Sequence, residues 1–173
     1  MGIRGMAHRF MPNRLVFPGG AVDRTDGTAA AATEPSATLL AALEQLARPR
    51  LARALAVCAA RELEEETGIT LGRPPRLGGL RYLCRAVTPP SSPIRFNARF
   101  LLVQASETEG EPRDSQELQE VGFRSIDDAM ELDLALVTRE VLHRLRARLS
   151  DGEQPAATAT RMVFLTQSWV ADH

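Results

Sequence analysis

The chain has 173 residues, 44% hydrophobic and 25% charged, with a net charge of −1. That suits one globular domain with a single core, and it supplies no global field for nucleic acid or an anionic membrane. All 21 basic residues are arginine, whose planar fork matches phosphate and carboxylate.

In chain order, RLVFPGGAV (14–22) reads as a short strand running into a glycine turn, and Asp23 to Ser36 as a loop rich in Thr, Ala, Gly and Asp. SATLLAALEQLARPR reads as a helix with Ser36 as N-cap and Pro49 as its stop. A second helix is expected from Leu51 to Thr67, with Gly68 as its C-cap. GLRYLCRAV (79–87) and IRFNARFLLVQA (94–105) alternate as strands joined by TPPSSP. EVGFRSI (120–126) reads as a short strand and LDLALVTREVLHRLRARL (132–149) as an amphipathic helix. DGEQPAATAT is a linker and RMVFLTQSWV a terminal strand. The order predicts an α+β or α/β sandwich.

Cys58 in LAVCAA and Cys84 in RYLCRAV sit in apolar contexts and read as packed thiols, so the default setting is reducing and cytoplasmic. No apolar run approaches the roughly 20 residues of a membrane span, and MGIRGMAHRF lacks the apolar centre of a signal peptide.

The stretch AARELEEETGITLG (59–72) holds Glu62, Glu64, Glu65 and Glu66. At about 100° per residue, positions 51, 55, 58, 62, 65 and 66 share one stripe. Leu51, Leu55 and Cys58 begin it as a core-facing row, and Glu62, Glu65 and Glu66 continue it. Glu64 falls off the stripe toward solvent, and Arg61 stands four residues before Glu65 for an ion pair. Carboxylates packed this closely repel, and desolvation adds to the cost. A divalent cation such as Mg²⁺ or Mn²⁺ removes both objections. The competing reading is a fraying last turn whose acids reach water.

Arg81 and Arg85 share one face of the first long strand, and Arg95 and Arg99 one face of the second. That face is either a phosphate contact or the water side of a half-exposed sheet, with Phe96 and Phe100 opposite in the core. His8, His143 and His173 lack partners at metal-ligand spacing and read as surface residues. Trp169 either stacks on a base or packs on the body, and Gly78–Gly79 is a turn.

RELEEETGI (61–69), preceded by FPGGAVD, resembles the signature of the Nudix hydrolase family. The signature opens with a glycine and, after five residues, a glutamate; here Gly20 is followed at that spacing by Asp26. This chain then places 34 residues before Arg61 where the family places seven, an apparent insertion of 27. Together with TPPSSPIRFNARFLL, that insertion is similar to the branch of organellar coenzyme A diphosphatases.

The resemblance implies a Nudix-type α/β/α sandwich around a mixed sheet: a single domain over 1–173, with a helical insertion at 27–50 and a linker and tail at 150–173. It implies that Glu62, Glu65 and Glu66, the Gly19 carbonyl and a downstream acid, Glu117 with Glu120 behind it, hold Mg²⁺ or Mn²⁺. Glu62, Glu65 and Arg61 would be catalytic, Glu62 activating water and Arg61 orienting a glutamate. Gly20, Arg81, Arg95 and Arg99 would contact substrate. The implied activity is hydrolysis of a nucleoside diphosphate linked to another group, coenzyme A or a related nucleotide. ADP-ribose, dinucleoside polyphosphates and nucleoside triphosphates stand beside it, as does a Nudix-like module that binds without hydrolysis. The implied partner is a small-molecule nucleotide, with neither nucleic acid nor membrane. Only 16 residues precede Phe17, where the family has one or two strands. Truncation, a misassigned start and a sheet edge covered by homodimerisation are the three readings of that shortage.

Overall fold

The computed structural model of the chain describes residues 1–5, 13–45, 47–88 and 95–150, with the backbone of 162–165 and 168–171. His8, most of the TPPSSP loop, the 151–161 linker, His173 and the Trp169 side chain lie outside the described residues. The elements run β1 (Gly2–Arg4), β2 (Leu15–Val16), α1 (Ala37–Glu44), α2 (Pro49–Thr67), β3 (Arg81–Val87) and β4 (Asn97–Leu102). After them come β5 (Leu118–Gln119), α3 (Ile126–Met130), α4 (Leu136–Ser150), β6 (Met162–Leu165) and β7 (Ser168–Ala171).

Two sheets form, a three-stranded one in the order β2-β1-β5 and a four-stranded one in the order β4-β3-β6-β7. The second is mixed, because β3 pairs antiparallel with β4 and parallel with β6. Helices cover both faces of the β3–β4 hairpin. Leu39, Leu43, Ala52, Ala56, Val57 and Ala60 of α1 and α2 pack with Tyr82, Leu101 and Val103. Val137, Val141 and Leu145 of α4 pack with Cys84, Phe100 and Leu102. This is the expected α/β sandwich with a mixed sheet. No helix among the described residues is long and apolar enough to cross a membrane.

The helix that carries the glutamates is bounded by local chemistry. Alanine, the best helix former, recurs along α2, and its small buried side chains at 52, 56 and 60 seat the helix close to the hairpin. Ser36 caps α1 by accepting from the Leu39 N–H. Pro49 does not stop the first helix; it opens the second, where its missing N–H costs nothing and its fixed φ is already helical. Gly68 closes α2 in the left-handed region at φ 75, donating its N–H to the Glu64 carbonyl.

Several sequence expectations need correction. Leu51 is 41% exposed, so the apolar face of α2 is carried by the alanines, Val57 and Cys58. No strand forms at 120–126: β5 is two residues long and ends before it, at Leu118–Gln119, and Ser125 caps α3 through the Asp128 N–H. The terminal strand is a hairpin of two strands whose first member extends the sheet beside β3. The N-terminal stretch supplies β1, which joins β2 to β5. A register shift between Tyr82 and Cys84 places Arg81 opposite Leu102 and Arg85 opposite Arg99. Leu102 and Arg99 project to opposite faces of β4, so Arg81 and Arg85 do not share a face. Phe100 packs edge-on against Phe17 with ring centroids 5.7 Å apart, but Phe96 lies before β4 and is 40% exposed.

Candidate active site

The last turns of α2 face the Phe17–Asp26 segment, and one arginine organises half of that contact. Arg61 donates from Nε to Asp26 Oδ1 (3.0 Å) and from Nη2 to Asp26 Oδ2 (3.1 Å), a bidentate fork. Its Nη1 donates to Glu62 Oε1 (2.7 Å) and Glu65 Oε2 (3.1 Å), and Nη2 also reaches the Ala21 carbonyl (3.1 Å). Asp26 is 2% exposed and also accepts from the Asp23 N–H at 2.7 Å. With both oxygens taken up this way, Asp26 anchors Arg61. These bonds raise the Arg61 pKa above its ordinary value, with the Asp26 hydrogen bond the largest cause.

The other half is less complete. Glu66, whose side chain is 3% exposed, accepts from the Gly19 N–H through Oε2 at 2.7 Å. Among the described residues its Oε1 has no hydrogen-bond partner, and its ion-pair partner is Arg4 Nη2 at 3.8 Å. Burial pushes the Glu66 pKa up to about 7; the Glu117 and Glu62 charges add to this, while the Gly19 N–H and Arg4 oppose it. Gly19, at φ 155, adopts backbone that favours glycine. A Cβ at Gly20 would collide with the Glu62 carboxylate, so only a bare backbone can lie against it.

The glutamate run is therefore divided by environment. Glu62 and Glu66 are buried, but Glu65 is 60% exposed and held by Arg61. Glu64, expected in solvent, accepts from the Thr70 hydroxyl and pairs with Arg73. Glu117 stands just before β5, its carbonyl accepting from the Gly5 N–H (3.1 Å), and its charge acts on Glu66. Glu120 instead pairs with Arg124. Arg81 donates to the Gly78 and Leu80 carbonyls, Arg99 to the Asn97 carbonyl, and Arg95 is exposed ahead of β4. Among the described residues no three His, Cys, Asp or Glu side chains form a metal-ligating group. Burial raises the Cys58 and Cys84 thiols to about 11 and about 12, as expected of packed cysteines. Arg4 carries no signal in the sequence, because nothing near it in the chain marks it; β1 pairing alone brings it to Glu66.

The family model for the NUDIX domain matches residues 52–145. The chain belongs to the NUDIX family. This Nudix chain is similar to the NUDIX hydrolase from Alicyclobacillus acidocaldarius in its crystal structure. The TM-score is 0.64 at 28% identity, over 84% of this chain and 82% of that one. No curated protein matches the chain. The Nudix assignment carries with it a pyrophosphohydrolase acting in general on nucleotide-linked diphosphates. Nudix hydrolases generally use divalent metal ions and act on small molecules.

Proposed function

We propose that this Nudix protein is an Mg²⁺- or Mn²⁺-dependent diphosphatase that cleaves a nucleoside diphosphate linked to another group, with coenzyme A the first substrate class. The observation that supports it is Glu66 Oε1, a buried carboxylate oxygen without a hydrogen-bond partner, beside Glu62 at the Gly19–Gly20 backbone. An all-oxygen donor set suits a hard divalent cation, and a cation would satisfy that oxygen. Glu62, Glu65, Glu66, Glu117 and the Gly19 carbonyl would hold it. When bound, it would neutralise phosphate charge and make a bound water more acidic.

The chain's own groups do the rest. Arg61, fixed by Asp26, orients Glu62 and Glu65. The Gly19 N–H fixes Glu66. Glu62 accepts the proton of the attacking water, and bare glycine backbone leaves room for a diphosphate, with Gly20 in contact. Arg81, Arg95 and Arg99 contribute cationic reach toward the rest of the substrate. The coenzyme A preference rests on the insertion at 27–50, which holds α1, and on the segment after β3. The whole chain forms one domain and works in the cytoplasm, in keeping with two buried free thiols.

A second reading, a nucleotide-binding module without hydrolysis, draws on Arg61 engaging both Glu62 and Glu65. A release assay decides, using coenzyme A, ADP-ribose, NADH and diadenosine polyphosphates, with and without Mg²⁺ or Mn²⁺. Metal-dependent cleavage is expected, reduced about a thousandfold in Glu65→Gln with the fold intact. Near-normal turnover in that variant would remove Glu65 from the site. Cleavage of none of the panel by folded, metal-binding protein would establish the binding module.

A further inference from the structure

The arginines packed around α2 differ in how fully they are used. Arg53 gives Nε and Nη2 to the Glu34 carboxylate and further N–H groups to the Gly27 and Ala29 carbonyls. Arg61 is bonded through all three nitrogens. Arg4 is not. Its Nε is buried and, among the described residues, without a hydrogen-bond partner. Among the described residues its one ion-pair partner is Glu66 at 3.8 Å, beyond hydrogen-bond range, and the facing Glu66 Oε1 is equally unpartnered. Two opposite charges thus lie side by side in a buried place, each missing a bond. Buried polar groups are nearly always satisfied, and a pair left incomplete on both sides needs a third participant.

The backbone holds Arg4 in place. Its N–H donates to the Arg14 carbonyl (3.0 Å), its carbonyl accepts from the Asn13 N–H (2.8 Å), and it stands opposite Leu118 of β5. The central strand of a sheet positions the side chain more firmly than a loop would. We infer that Arg4 is a phosphate-contacting residue of the site: its guanidinium balances Glu66 in the metal-free protein and receives a phosphate oxygen of the bound diphosphate. Were Glu66 to hold a cation, its charge would be taken up there and the Arg4 guanidinium would be left without its counter-ion. A phosphate of the substrate would be the anion to replace it, and the fork geometry of arginine suits phosphate. This assignment rests on the diphosphatase reading.

The test separates cation from phosphate. Full-length wild type, Arg4→Gln and Arg4→Lys are titrated calorimetrically with Mn²⁺ alone, then with α,β-methylene-ADP, a diphosphate with an uncleavable bridge, at saturating Mn²⁺. In Arg4→Gln the Mn²⁺ affinity is expected to equal or exceed that of wild type, because a competing cation is gone. The analogue is expected to bind about tenfold more weakly or worse. Arg4→Lys keeps the charge but loses the fork, and is expected to fall between; if Arg4→Gln does not fold, this variant carries the comparison. Unchanged analogue affinity in a folded variant overturns the assignment alone, and equal weakening of Mn²⁺ and analogue reduces Arg4 to a charge-balancing role and overturns it too. Wild type that binds Mn²⁺ but not the analogue overturns the diphosphatase reading, and this inference with it.

Discussion

Two halves of one acidic helix end behave differently. Around Arg61 every charge has a partner: Asp26 by a bidentate fork, Glu62 and Glu65 by one bond each. Around Glu66 the pairing stops short, with one oxygen bonded to Gly19, the other unpartnered, and Arg4 too far to donate. A saturated network resists change because any loss leaves a buried charge exposed to its own desolvation cost. An unsaturated one already bears that cost and gains most from a ligand. The Asp26–Arg61 fork therefore reads as scaffold, and the unpartnered Glu66 oxygen as the atom with most to gain from a ligand.

The sharpest way to break this comparison is at Asp26. Asp26→Ala strips Arg61 of its buried partner and is expected to destabilise by about 3 kcal/mol, measured by urea unfolding; Arg61 is itself about a quarter exposed, which keeps the loss at the low end. A loss within experimental error would deny the Asp26–Arg61 fork its scaffold role.

Glu66 predicts a pH dependence of the opposite character. Its pKa rises from 4.5 to about 7 on folding, so the neutral form is favoured in the native state. The stability this contributes is fully present below the unfolded value and lost as pH rises through about 7. Metal-free wild type should lose unfolding free energy between about pH 4.5 and pH 7, the span set by these two values. Glu66→Gln should flatten that window, with a higher melting temperature than wild type at pH 8. A variant that keeps the wild-type slope would show that Glu66 is not the group under strain.

The smallest effect is expected outside both halves. Glu64 pairs with Arg73, whose side chain is 73% exposed. Glu64→Gln should change stability by under about 1 kcal/mol and leave kcat/KM unchanged in the release assay, although it adjoins Glu65 in the chain.

Much of this arrangement is legible in the amino-acid sequence. Ser36 and Gly68 act locally, through bonds to residues three and four positions away, and both caps stand at the positions that residue type and spacing predict. The β3–β4 hairpin follows from alternation, and the run of glutamates marks its helix by composition alone. The bulge after Tyr82 is not legible, because alternation counts residues and a register shift breaks the count. Periodicity groups Glu62, Glu65 and Glu66, but it cannot tell which of them is covered.

That choice belongs to tertiary structure. Glu66 is buried because Gly19 and Arg4 come to it from 47 or more positions away, whereas Glu65 stays exposed, held by its helix neighbour Arg61. The Asp26–Arg61 fork spans 35 positions and depends on how the chain returns through α1 to α2. Spacing along one helix determined the chemistry on offer, while contacts distant in sequence decided which carboxylate is left with an open oxygen, since burial is a property of what packs against a residue and not of the residue itself.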